Sequence, residues 1–291
     1  MIDLHVHTHA SADAQHSPRE LFAMAREIGV TTLSFADHNT LAALPAGREL
    51  AGETGIEFIP AVELNTELDG RELHLLGYGI ADESPAVREW FGEIERLFLR
   101  QAERRVRRLT ELGLRLTLAA VQTYAAGRLP TGSSFLDALN ADPANHRHPL
   151  LAPYREGPKA ADPYVNFYFD VLAKGGPADV GGESLPFRAA VARLRELRAV
   201  PVLAHPRDLP ATEFATAVAA GLRGVEAICS YHDPVTARRW LEAAAHFRLL
   251  PTAGSDFHGA RTKAAVKLGD LPGADETIVV RLRAAIADAN A

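Results

Sequence analysis

The sequence contains a single cysteine, Cys229, so no disulfide can form within the chain, and a secreted, disulfide-stapled scaffold is excluded. No stretch approaches the roughly 18 unbroken apolar residues of a membrane-spanning helix, so no membrane partner is expected. The first residues lack a basic segment followed by an apolar core, so no secretory signal is expected. With the lone thiol, this points to a reducing, cytoplasmic setting. Positive charge is not in excess: the net charge is −6, which argues against a surface that coats extended nucleic acid. Internal repeats and low-complexity tracts are also missing. What remains is 291 residues, 47% hydrophobic and 23% charged, enough for one large α/β domain or a barrel with a sizeable insertion. Nothing here sets an oligomeric state. Histidine, with 12 copies, is high for its type, and it calls for an explanation.

The stretch MIDLHVHTHASAD supplies the first part of one. Ile2, Leu4 and Val6 alternate with Asp3, His5 and His7, the period of a strand with one face in a core. His5 and His7 then point the same way, and with Asp13 just beyond them they make half of a metal site. Ser17-Pro18-Arg19-Glu20 is a capping box that opens a helix ended by Gly29. Further strands are predicted at 31–36, 57–63, 72–78, 200–205, 224–229 and 249–255, mostly separated by helices. Between them, 84–112 reads as one long helix and 116–182 as irregular text rich in Pro, Gly, Asn and aromatics. Residues 86–186 are therefore expected to be a mostly helical insertion, a cap, on a domain made of 1–85 and 187–291.

Seven strands alternating with helices imply a parallel sheet, open or closed. His5, His7, Asp13, His38, Glu63, His74, His205, Asp256 and His258 are expected at the C-terminal ends of at least six strands. Only a closed barrel gathers so many strand ends around one point. All nine are ligands for a borderline divalent ion, and one zinc needs only three or four, so the excess argues for several ions. Other groups have plainer readings. His16, His146, His148 and His246 are expected to be solvated, Arg104, Arg105, Arg107 and Arg108 to form a solvated helix face, and Tyr164, Phe167, Tyr168 and Phe169 to be cap core. Cys229 is expected to be inert and buried.

In order, HVHTHASAD, ADHNT, VELNT, HLLGYG, LAHP and GSDFHG resemble the motifs of the PHP (polymerase and histidinol phosphatase) metal-dependent phosphoesterases, over about 1–85 and 187–260. The resemblance implies a distorted (β/α)7 barrel and a di- or trinuclear site for manganese, zinc or iron. It implies one ion on His5, His7, Glu63 and Asp256, a second on Glu63, His74 and His205, and a third on Asp13, His38 and His258. A hydroxide bridging the ions would attack phosphorus, with Glu63 and Asp256 counted among the catalytic groups. Arg207, two residues past His205, is the candidate for holding phosphoryl oxygens, because its planar fork suits phosphate. His9, His232 or an ion-bound water would protonate the leaving group. The insertion departs from the small nucleotide phosphoesterases that the barrel motifs resemble most. Where those carry a helical segment with an Arg-His pair, this chain has LPTGSSFLDAL. The expected substrate is a small phosphate ester, AMP-like or another nucleotide first and histidinol phosphate second. A metal-dependent amidohydrolase is the rival enzyme, although that class usually has eight strands and a bridging lysine. A non-catalytic metal-binding regulatory module is the rival outside enzymes.

Overall fold

A computed structural model describes residues 1–181 and 184–291, so 182 and 183, inside the expected insertion, lie outside the described residues. Among the described residues nine strands form a mixed α/β fold: β1 (Ile2–Val6), β2 (Thr32–Phe35), β3 (Glu57–Phe58), β4 (Glu63–Leu68), β5 (Arg71–Tyr78), β6 (Leu185–Pro186), β7 (Val200–Leu203), β8 (Gly224–Cys229) and β9 (Leu250–Gly254). They divide into a three-stranded sheet, β1-β2-β3, and a six-stranded sheet, β6-β4-β5-β7-β8-β9.

The expectation of a purely parallel sheet fails at one place. β5 runs antiparallel to both β4 and β7. The predicted strand 57–63 is strand only at Glu57–Phe58, β4 begins at its last residue and runs on to Leu68 where no strand is predicted, and β4 turns straight into β5 through Asp69 and Gly70, whose φ values are 49° and 81°. Two positive φ angles are what a type I′ hairpin turn requires, and Asp-Gly is a preferred pair for it. Strand ends therefore do not explain two of the site residues. Glu63 begins β4, and His74 lies in the middle of β5, paired with Asn65. Because side chains alternate along a strand, Glu63 and His74 share one face of the hairpin as a diagonal pair.

The two sheets are joined at both edges by residues of the candidate site. On one seam the His7 amide donates to the Phe257 carbonyl at 2.9 Å and the Asp256 amide to the His5 carbonyl at 2.8 Å. On the other, the Asn39 amide donates to the Glu63 carbonyl at 2.8 Å and the Glu63 amide to the Asp37 carbonyl at 3.2 Å. Helix Pro18–Glu27 forms as its capping box predicts: the Ser17 amide donates to Glu20 at 2.7 Å, and Leu21, Phe22 and Ala25 are buried. Helix Pro85–Glu111 spans 27 residues and buries Val87, Trp90 and Ile94 against the main core, then Ala102 and Leu109 against a separate apolar cluster drawn from residues 102–178. That cluster is built on helices Leu118–Ala125 and Gly132–Ala141 and on short helical turns down to Leu172. Phe167 is buried in it and Tyr164 and Tyr168 pack against it as expected, the two tyrosines also lining a cavity, whereas Phe169 is 56% exposed at that cavity. Arg105 also lines that cavity instead of a fully solvated helix face. Among the described residues no helix is long and apolar enough to cross a membrane.

Candidate metal centre

All nine candidate ligands meet. His5, His7, Glu63 and Asp256 bring ligand atoms within 4.8 Å of one another, as do His7, His38 and His258, and His38, Glu63 and His74. Glu63 is central and fully buried. Its Oε1 lies 2.9 Å from His74 Nδ1 and 2.9 Å from His205 Nε2. Its Oε2 lies 3.0 Å from His38 Nδ1, 3.2 Å from His7 Nε2 and 3.4 Å from His5 Nε2. Asp256 Oδ1 is 3.1 Å from His7 Nε2. Asp13 is the outlying member, 3.8 Å from His38 Nε2 and 4.0 Å from His258 Nε2.

The chain fixes which ring nitrogen faces inward. His5 Nδ1 meets the Glu226 carboxylate at 3.0 Å, so Nδ1 carries the hydrogen and Nε2 presents its lone pair. Ser11 Oγ donates to Asp37 at 2.8 Å and accepts from the His38 amide at 2.9 Å. Its remaining role toward His7 Nδ1, 3.2 Å away, is to accept, which again leaves Nε2 bare. His258 Nδ1 donates to the Asp256 carbonyl at 2.9 Å, with the same result. The bare Nε2 atoms of His5 and His7 then face each other at 3.1 Å. Two lone pairs at that distance repel unless a positive charge sits at their focus.

Fit to a cation shows in two further ways. Asp13 Oδ1, His38 Nδ1, Glu63 Oε2, Asp256 Oδ1 and His258 Nε2 are buried without a hydrogen-bond partner, and all five belong to the cluster. Orphaned buried polar atoms are rare, so five at one point mark a place for an ion. The field has the matching sign. Burial disfavours the imidazolium form of His5, but Glu226, Glu63 and Asp256 overcome it and raise its pKa well above the usual value. Burial acts the same way on His74, and Glu63 and Glu72 outweigh it, raising His74 to about 10. Glu63 itself, which burial would raise, is held well below the carboxylate range by His74, His5 and His38. Burial lowers the pKa of His205 and, with His7 and Lys263, that of His258, so the protons are drawn onto His5 and His74, where divalent ions can replace them.

The close packing of β1 against β9 depends on Gly254. A Cβ there would come within 2.1 Å of His5 Cβ and 2.7 Å of Glu226 Oε1. Gly254→Ala should therefore lower stability by about 1–3 kcal/mol, the usual range for overpacking, and reduce bound metal. Thermal denaturation with metal analysis checks it, and an unchanged melting temperature with full metal content would contradict this packing.

The catalytic candidates outside the cluster separate. Arg207, at φ 48°, is exposed at the cavity with its guanidinium 4.0 Å over the Tyr231 ring. His232 uses both nitrogens on main chain, Nδ1 with the Ala227 carbonyl at 2.9 Å and Nε2 with the Arg207 amide at 3.1 Å. Burial lowers its pKa. His9 is exposed and does not line the cavity, and its carbonyl accepts from Arg128 at 2.5 Å. Sequence reasoning missed Glu226, Tyr231 and Lys263. Glu226 left one signal, a lone carboxylate in the otherwise apolar GVEAIC, every residue of which is buried. Tyr231 and Lys263, at 2.6 and 2.5 Å from Asp256 Oδ2, left none. The cavity at the cluster measures about 1380 Å³, and its lining includes His38, His74, His205, Asp256 and His258 together with Tyr164, Tyr168 and Phe169.

Fold and cluster together define a mixed α/β protein with a buried His/Glu/Asp cluster able to hold metal ions. The PHP domain family matches residues 3–174, and the chain belongs to that family. It is 30% identical over 261 residues to the phosphoribosyl 1,2-cyclic phosphate 1,2-diphosphodiesterase of Eggerthella lenta, covering 88% of this chain and 94% of that one. It is also 30% identical over 264 residues to the 5′-3′ exoribonuclease Rnm of Salmonella typhimurium, covering 88% and 84%. The backbone superposes with a TM-score of 0.78 on a Bifidobacterium adolescentis protein solved as a metal-dependent phosphoesterase, at 23% identity and over 98% and 96% of the two chains, a likeness of fold. The protein is thus a metal-dependent phosphoesterase, a hydrolase of phosphoric ester bonds.

Proposed function

We propose that the protein hydrolyses a phosphate ester of a small, nucleotide-sized molecule, with two or three divalent ions held by the nine clustered side chains. The observation that carries this reading is the set of five orphaned buried ligand atoms around Glu63. His5, His7, Glu63 and Asp256 would hold one ion, Glu63, His74 and His205 a second, and Asp13, His38 and His258 a third. The mixed imidazole and carboxylate donor set suits manganese, zinc or iron. When bound, such ions acidify a water and neutralise charge on the phosphoryl oxygens. The chain does the rest. Glu226, Ser11 and the Asp256 carbonyl hold three imidazoles in the ligating tautomer. Arg207 reaches a phosphoryl oxygen with its fork. His232, with both nitrogens engaged, positions the Arg207 main chain instead of donating a proton, and His9 stands outside the cavity.

Two structural readings belong to the same proposal. The two sheets are the wall of one distorted (β/α)7 barrel, closed through the seams at His5–Asp256 and Asn39–Glu63. Residues 86–186 are its cap, rooted on the main core through Val87, Trp90 and Ile94 and supported from Ala102 to Ala178 by their own apolar cluster. The cavity is far larger than one phosphate, and the aromatic face at Tyr164, Tyr168 and Phe169 suits a nucleobase on the leaving side. Cytoplasmic location is part of this reading too, resting on the buried, unpaired Cys229.

The test is turnover of an aryl phosphate monoester by protein loaded with manganese, zinc or iron. Hydrolysis should vanish on chelation, and the melting temperature should fall by about 5 °C or more as the ions leave. Absence of turnover with all three metals overturns the proposal.

A further inference from the structure

Asp256 carries more positive charge than its role as a ligand explains. One oxygen, Oδ1, faces His7 and is orphaned. The other, Oδ2, accepts from the Tyr231 hydroxyl at 2.6 Å and from the Lys263 ammonium at 2.5 Å. Lys263 ends the short helix Ala260–Lys263, which is tied down at both neighbours: the Arg261 amide donates to Gln15 at 2.6 Å and the Thr262 hydroxyl to the Asp13 carbonyl at 2.5 Å. Its side chain is 18% exposed and borders the cavity. The ammonium also lies 5.5 Å from the Tyr231 ring centroid, while Arg207 lies 4.0 Å from it. Tyr231 thus holds two cations on one side of the cluster, both of them lining the cavity.

A purely structural lysine would be a poor choice here. With three divalent ions bound, their six charges balance the six carboxylates in and around the cluster, Asp13, Asp37, Glu63, Glu72, Glu226 and Asp256, so a further fixed cation beside Asp256 leaves the site net positive and opposes metal binding. An ammonium at this place gains only when an anion enters. A terminal phosphoryl group has three non-bridging oxygens, and a diester has two plus a second ester oxygen bearing a substituent. Metal ions can hold one or two of these oxygens, and the third must find its own donors. We propose, building on the phosphoesterase reading above, that Lys263 is a catalytic residue which, with Arg207, holds that third oxygen and so selects a terminal phosphoryl group, a phosphate monoester, over an internal diester. The lysine remains an ammonium throughout, and no proton leaves it. Burial opposes its charge, and Asp256 overrides burial and raises its pKa.

The experiment compares metal-loaded wild type, Lys263→Gln and Lys263→Arg with p-nitrophenyl phosphate, bis-p-nitrophenyl phosphate and inorganic phosphate, alongside metal analysis. In Lys263→Gln, monoester kcat/KM should fall by about 100-fold, as when one oxyanion donor is removed, and the loss on the diester should be at least about tenfold smaller. Phosphate should bind about tenfold more weakly by calorimetry, the metal content should match wild type, and Lys263→Arg should recover most of the loss. Equal losses on both esters, or unchanged phosphate affinity, overturn the inference. So does loss of metal from Lys263→Gln, because the lysine would then only brace Asp256. Phosphate affinity is read without turnover, so a wild type inert toward every ester would refute the phosphoesterase reading while this assignment is still judged by calorimetry.

Discussion

Glu63→Ala should reduce phosphoester kcat/KM by about a thousandfold or more, because the ions supply several kcal/mol of barrier lowering and each 1.4 kcal/mol is about tenfold. No other side chain touches so much of the centre. Its two oxygens lie between 2.9 and 3.4 Å from five imidazoles, those of His74, His205, His38, His7 and His5. Two of the three proposed ions use it, so metal per protein should fall with activity. The backbone seam at Glu63 uses only its amide and carbonyl, which alanine keeps, so the variant should fold. Melting with and without chelator reads this directly: the wild type should show a large gap and the variant a small one. A Glu63→Ala protein that keeps its full metal complement and its turnover would remove the basis of the proposed chemistry.

The second large effect is expected at Glu226, which touches no substrate. It is fully buried in the middle of β8, where it accepts from His5 Nδ1 at 3.0 Å and from the His205 amide at 2.9 Å. It therefore orients two ligands through one carboxylate. Glu226→Gln removes the charge that holds the His5 tautomer and sets an amide NH2 or its carbonyl, but not both, against two donors. Metal affinity should fall by about 10–100-fold, the range for partners of metal-bound histidines. Glu226→Ala should add about 1–3 kcal/mol of instability from the unpaired His205 amide. Metal titration followed by denaturation checks both. Unchanged affinity in Glu226→Gln would mean that His5 is held by packing alone.

These two residues show where the sequence is readable and where it is not. Glu63 stands out because VELNT closes an apolar run beside other ligand motifs. His5 and His7 stand out because alternation is visible along a single strand. Glu226 is hidden because its partner is 221 residues away, and only the β1–β9–β8 neighbourhood brings the two together. The same limit applies to Lys263 and Tyr231, which matter through a shared contact with Asp256 and not through any local pattern. The β4–β5 hairpin is the opposite case. Its Asp69-Gly70 pair is a hairpin signal, but the first strand of that hairpin, Glu63–Leu68, is mostly polar and does not read as a strand, so the signal has no partner strand to attach to and the antiparallel step at β5 goes unforeseen. Phe169 shows a third kind of limit: apolarity alone does not distinguish a core ring from one left open to a cavity.

The seam between β1 and β9 has a consequence for how the protein is made. His5 and His7 leave the ribosome before the strand and loop that complete their surroundings, through Gly254, Asp256 and His258, which come about 250 residues later, at synthesis rates on the order of 5–20 residues per second. For many seconds the nascent chain carries an imidazole-rich strand with no wall to close on and no complete cage for an ion. Metal acquisition is thus deferred until residues 254–258 have been made, and a chain interrupted before residue 254 would leave those histidines as an open, weak chelator instead of an enzyme.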